Sequence, residues 1–264
     1  MSTAAPASNS GDTTASPALL TPRKILRFYI PLALSWILMA VEGPTVSAAI
    51  SRKALPELNL AAFLILMSVG FWIESPIVDL LTTSTTLCSC RRHYRELRRF
   101  TVTLIAGVTA VHLLFALTPL YWVLTERLIG VDHSVALAGR LGLIVLLPWA
   151  PSIGWRRFMQ GVLIRFNQTR YVAWGTATRV IGMSLTALVL YQIPSVPGAV
   201  LGGGALSVGV LSESIFIHFA TRKVIANDLS DDSDEPPLGL RKIVNFHVPL
   251  TATPVAFTRP LATA

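Results

Sequence analysis

Long apolar runs lie near 28–50, 60–86, 101–123, 136–155, 171–192 and 196–219, separated by short polar or basic connections. Each is close to the ~20 residues that carry a helix across a bilayer, so the pattern predicts six transmembrane helices. Residues 1–22 are mostly Ser, Thr, Ala, Pro and Gly with almost no charge, a composition that reads as a disordered polar leader. "PRKILR" followed by "VSAA" imitates a secretory signal. The long leader ahead of those basic residues, and Glu42-Gly43-Pro44 just before "VSAA", argue against cleavage.

Beyond the sixth run, residues 225–240 contain "ANDLSDDSDEPPLG", an acidic, Pro-containing stretch that reads as a solvated cytoplasmic linker. The chain then begins again. "RKIVNFHVPL" (Arg241 to Leu250) repeats "RKILRFYIPL" (Arg23 to Leu32) at an offset of 218. Residues 23–224 therefore read as a six-helix lobe, and 241–264 as the first helix of a second lobe, cut short of a full span. The expected fold class is all-α, a polytopic membrane bundle of six helices plus the start of a seventh.

Composition agrees: 52% of residues are hydrophobic and only 14% charged, and the mean hydropathy is +0.59. The net charge of +8 sits in clusters between the runs, which is how topology is encoded rather than how nucleic acid is bound. Fourteen basic residues fall before helix one and after helices two, four and six, placing both ends of the unit in the cytoplasm by the positive-inside rule. In that scheme Arg156 and Arg157 are cytoplasmic anchors. The expected location is an inner or plasma membrane, with the lipid bilayer as partner and no nucleic acid. Two cysteines, Cys88 and Cys90, rule out a disulfide framework and with one His do not complete a metal site. No catalytic motif appears, so neither an enzyme nor a cofactor is expected.

Ionisable residues inside apolar helices are costly and usually face a cavity or a partner. Here they are Glu42, Glu74, Asp79, His112, Arg140, Arg179, Glu213 and His218. Glu42 precedes Gly43-Pro44, a pair expected to bend and interrupt the first helix. It reads either as a cation- or proton-responsive carboxylate at a hinge or as a residue snorkelling to the outer interface. Glu74 and Asp79 lie about 140° apart around a helix, against a paired-carboxylate site; Asp79 is the preferred cavity residue unless an Arg pairs with it. Arg179 within "YVAWGTATRVIGMSLTALVLY" implies an ion pair with Glu42, Asp79 or Glu213, or an anionic substrate. His112 reads as a hydrogen-bonded core residue. "VLGGGALSVGVLSES" offers small-residue faces for close helix packing. The expected substrate or ion pathway comprises Glu42, Pro44, Glu74, Asp79, Arg140, Arg179 and Glu213.

"LRFYIPLALSWI", "SPIVD", "GVDHSVALAGR", "PWAPSIGWRRFMQGVLI" and "VLSESIFIHFATRK", in that order, resemble the amino-terminal half of the progressive ankylosis protein family. That family belongs to the multidrug/oligosaccharidyl-lipid/polysaccharide exporter superfamily, with its MATE-like fold. The resemblance implies two pseudo-symmetric lobes around a central cavity, alternating access, and export of a small anion such as pyrophosphate, citrate or a nucleotide. It also implies an acidic residue in a kinked first helix that binds H⁺ or Na⁺, the position Glu42 and Pro44 hold here. At the 218 offset Arg259 and Pro260 fall opposite Val41 and Glu42, so a charge-opposed pair across the symmetry axis is expected. Remaining alternatives are a transport-incompetent fragment, half of a split or dimeric exporter completed by another lobe or copy, and a multidrug or lipid flippase.

Overall fold

The computed structural model describes residues 22–229 and 236–257. The leader, the acidic core of the linker and Arg259–Pro260 lie outside that range. The described residues form α1 (Pro22–Ile50), α2 (Pro56–Val78), α3 (Leu80–Leu87), α4 (Arg91–Leu117), α5 (Leu120–Trp122) running into a π-helical turn (Val123–Leu128), α6 (His133–Val145), α7 (Trp149–Arg165), α8 (Thr169–Tyr191), α9 (Gly198–Asn227) and α10 (Gly239–Phe257). Among them, five stretches are long and apolar enough to cross a membrane, and six if the bent α6–α7 pair is one span. The chain is thus an all-α, multi-pass membrane bundle.

Three boundaries differ from the hydropathy reading, each for a local reason. α1 runs unbroken through Pro44, correcting the expected interruption. A proline in a helix removes one N–H and crowds the carbonyl four residues earlier; here the Thr45 hydroxyl donates to Val41 O at 2.7 Å beside the lost bond. α4 begins ten residues before the apolar run, because Arg91 to Arg99 continue the same helix. The fourth span is two helices bent by 46°. Pro148 caps α7, and α7 extends to Arg165, so Arg156 and Arg157 sit in mid-helix.

α1 packs mainly on α8; α8 and α9 pair closely, and α9 also meets α6, α7 and α2. Without a hydrophobic drive between helices in lipid, such contacts rely on tight packing. A Cβ on Gly203 would lie 2.7 Å from Gly142 O, so glycine lets α9 touch the α6 backbone, where Ser207 Oγ donates to Val145 O at 3.0 Å. His112 is buried with Nε2 3.1 Å from Leu143 O. α10, which carries the repeated motif, lies across α2, α3 and α4. Its His247 reaches Pro76 O at 2.8 Å and Thr83 Oγ1 at 2.8 Å, where the chain breaks between α2 and α3. Both cysteines are buried and free, and burial pushes the Cys88 thiol up to about 12.

Candidate functional site

Four helices, α1, α7, α8 and α9, deliver the ion-paired side chains of one buried cluster, and a fifth, α2, brings Glu74 beside it. Arg179, midway along α8, donates through Nη2 to Glu42 Oε2 at 2.5 Å, and its Nη1 stands 3.8 Å from Glu213 Oε2. Arg156 of α7 donates through Nη1 to the same Glu213 oxygen at 2.7 Å. Gln160, one turn along α7, donates to Glu213 Oε1 at 3.0 Å, and Thr176 Oγ1 lies 3.5 Å from that atom. The approach is possible because α8 and α9 lack bulk between them: a Cβ on Gly209 would sit 3.0 Å from Arg179 O.

The carboxylates are held unequally. Glu213 is fully buried and bound on both oxygens. Glu42 accepts one bond on Oε2, while its Oε1 is buried without a partner. Glu74, on α2, is 5% exposed, makes no hydrogen bond to a described residue, has a buried unpartnered Oε2, and lies within electrostatic reach of Arg156, Arg157 and Arg179. Arg157 is half-buried, its Nε also unpartnered. Three carboxylates thus face three guanidinium groups. Unsatisfied buried oxygens of this kind call for a proton, a cation or a water.

Of the other residues singled out, Arg156 belongs to the cluster, whereas Asp79, Arg140 and Pro44 stand apart from it. Arg156 is 2% exposed and bonded to Glu213, correcting its reading as an interfacial anchor: α7 does not end at Trp155 but runs on to Arg165, which leaves Arg156 in mid-helix. Asp79 is half-buried at the α2–α3 break, where its carbonyl accepts from Thr83 Oγ1 at 3.0 Å; Glu74, rather than Asp79, joins the arginines. Arg140 donates to Ala116 O and Leu117 O, both at 3.0 Å, closing the end of α4, with its guanidinium 5.3 Å from the Trp122 ring. Pro44 lies two residues beyond Glu42 on an exposed stretch of α1. Gln160 and Thr176 were not foreseen. The signal available was spacing, since Arg156 and Gln160 share a face at i, i+4 and Thr176 and Arg179 at i, i+3.

The architecture is a single six-helix lobe of MATE-like fold. No protein-family model matches the sequence, and no curated protein matches it. Solved structures do. A MOP superfamily transporter from Pyrococcus furiosus, described as having a binding pocket of reverse polarity that suggests a different function, aligns with a TM-score of 0.67 at 15% identity, over 89% of this chain and 53% of that one. A MATE in the bent conformation aligns with a TM-score of 0.62 at 16% identity. An outward-facing multidrug resistance MATE family transporter of the MOP superfamily aligns with a TM-score of 0.63 at 15% identity. Both alignments again cover 89% of this chain and 53% of the other. The chain spans about half the length of the solved structures it matches, and at such identities the likeness is one of fold.

Proposed function

We propose that the chain is one lobe of a MATE-like membrane transporter that exports a small anion by alternating access, coupled to a proton or cation at Glu42. The observation that carries this reading is the asymmetry within the cluster. Glu213 is fully bonded and fixes Arg156, whereas Glu42 shares Arg179 through one oxygen and leaves the other unsatisfied. Breaking a buried ion pair by removing one charge is strongly destabilising, by about 3–5 kcal/mol, so protonation of Glu42 and loss of its bond to Arg179 belong to one event. Arg179 then presents a free planar fork, the preferred donor to a carboxylate or phosphate. A proton on Glu42 and an anion on Arg179 favour each other's binding, and linkage makes that coupling reciprocal. A sodium ion on the open oxygen of Glu42 plays the same part.

The anion class also rests on the resemblance to the progressive ankylosis family, which we retain as a proposal. A second lobe, from another chain or a second copy, is proposed to close the cavity; the apolar side chains that α1 leaves exposed, among them Trp36 and Ile37, suit that contact.

The test is flux of pyrophosphate and citrate in proteoliposomes. Wild type is expected to move at least one of them with dependence on a pH or sodium gradient. Arg179→Ala is expected to abolish flux, and Glu42→Gln to retain binding while losing the gradient dependence. Folded wild-type protein that neither moves nor saturably binds either anion, or Glu42→Gln with unchanged coupling, overturns the reading.

A further inference from the structure

The second span is broken at one point, and a side chain from far along the sequence holds the break. α2 and α3 together make one apolar span, Pro56–Leu87, interrupted at Asp79 between the end of α2 and the start of α3. The backbone is weak there on two counts. Pro76 has no N–H to offer Trp72 O, which accepts instead from Ser75 Oγ at 3.0 Å. Pro76 O is one of the last four carbonyls of α2, the groups that a helix end leaves without an internal partner. Inside a bilayer such a carbonyl needs a donor from elsewhere in the protein.

His247 of α10 is that donor. It is 3% exposed, with Nε2 2.8 Å from Pro76 O and Nδ1 2.8 Å from Thr83 Oγ1. A carbonyl only accepts, so Nε2 carries a hydrogen. One contact is on α2 and the other on α3, so a single imidazole, 171 and 164 positions away, bridges the break. The Phe100 ring of α4 packs edge-on against it at 5.3 Å. The two halves of the span have different attachments. α2 carries Glu74, two residues before Pro76. α3 is seated on α7, where Thr85 Oγ1 donates to Gly161 O at 3.2 Å and a Cβ on Gly161 would lie 2.5 Å from Leu81 O. The angle at the break therefore bears on where Glu74 stands against Arg156 and Arg157 of α7. The repeated motif does not by itself produce this contact: at the 218 offset His247 falls opposite Tyr29, which is 63% exposed.

We propose that the α2–α3 break is a hinge and that His247 is its clasp, a positioning residue through which a displacement of α10 is passed to the angle between α2 and α3 and so to Glu74. Hinges are commonly a few residues at the ends of elements, and here the residues from Pro76 to Asp79 fill that place. With His247 docked, both halves are tied to one side chain and keep one angle. With α10 displaced, Pro76 O loses its donor and α2 is free to turn against α3. The clasp is a property of the lobe and does not depend on what the chain transports.

The test places spin labels on the full chain in nanodiscs, at Leu64→Cys on α2 and Thr86→Cys on α3, both exposed positions, with Cys88 and Cys90 replaced by Ala. Double electron–electron resonance reads the distance across the break. A control pair, Trp174→Cys with Leu188→Cys, spans the unbroken α8 at exposed positions. His247→Ala is expected to shift or broaden the α2–α3 distance by ~5 Å or more, about the pitch of one helical turn, and to leave the control distance unchanged. His247→Gln, whose amide nitrogen can still donate to Pro76 O, is expected to restore the wild-type distribution. If His247→Ala does not fold, Thr83→Val, which removes one of the two holds, makes the same comparison. An α2–α3 distance that does not respond, an equal change in the control pair, or a His247→Gln distribution no closer to wild type than that of His247→Ala overturns the proposal.

Discussion

Arg179 Nη2 and Glu42 Oε2 meet at 2.5 Å although 137 positions separate the two residues. This contact, with the neighbouring Glu213, ties α1 to the α8–α9 pair. Removing one charge leaves the other buried, so Arg179→Ala is expected to destabilise the lobe by about 3 kcal/mol. Replacing both partners, as Glu42→Gln with Arg179→Gln, should recover at least half of that loss. Denaturant unfolding in detergent, followed by Trp fluorescence, measures both. An additive double variant would show that the pair is not coupled.

Two glycines should respond oppositely to alanine. Gly203 faces the Gly142 carbonyl, 2.7 Å from where a Cβ would stand, so Gly203→Ala must separate α6 from α9 and is expected to destabilise by ~1–3 kcal/mol. Gly43 has nothing within 4 Å and lies inside a helix, so Gly43→Ala is expected to stabilise by roughly 0.5–1 kcal/mol. A thermal melt of each variant, read by size-exclusion chromatography, separates the two signs.

Asp132 caps α6, accepting from Ser134 N at 2.8 Å and from the Ser134 hydroxyl. These bonds hold its carboxyl below the ordinary value of 3.8. A depressed folded value means that the contribution is present above pH ~3.8 and is lost as pH falls through the folded value. Asp132→Ala is therefore expected to lower the melting temperature at pH 6, and the gap from wild type should narrow at pH 3. A gap independent of pH would assign the effect to something other than the charged cap.

Cys88 is fully buried, its thiol raised to about 12, and Cys90 is 2% exposed. Maleimide reacts with thiolate, so the folded protein at pH 8 is expected to take up no label in the time that SDS-unfolded protein takes up two. Intact mass reads the difference. Rapid labelling of folded protein would place these thiols in an open environment.

Much of the fold was legible because span length and small-residue spacing are local properties. The six apolar runs, the small-residue spacing around Gly203 and Ser207, and a lone His112 on an apolar helix can each be read from a few neighbouring residues, whichever distant helix they then meet. The site was legible only in part. Glu42, Arg179 and Glu213 stood out as charges within apolar runs, and an Arg179 pair with Glu42 or Glu213 was among the expectations. Arg156 was read as interfacial because it follows two prolines and Trp155, which is how a span commonly ends. Its true partner, Glu213, lies 57 residues away. Depth toward the cytoplasmic end favours Asp79 over Glu74 in the sequence, whereas the chain breaks at Asp79 and Glu74, on the last turns of α2, is the carboxylate that reaches the arginines.

The sequence separation of Glu42 and Arg179 also sets an order of events during synthesis. At ~5–20 residues per second, Arg179 emerges roughly 7–27 s after Glu42, an interval in which the first helix must wait with its carboxylate unpaired. Because α1 packs chiefly on α8, it has little to lean on until that helix arrives. α1 is thus held in place only once α8 has been made, although it precedes every other described helix, and the ion pair at its centre acts as the latch between the two.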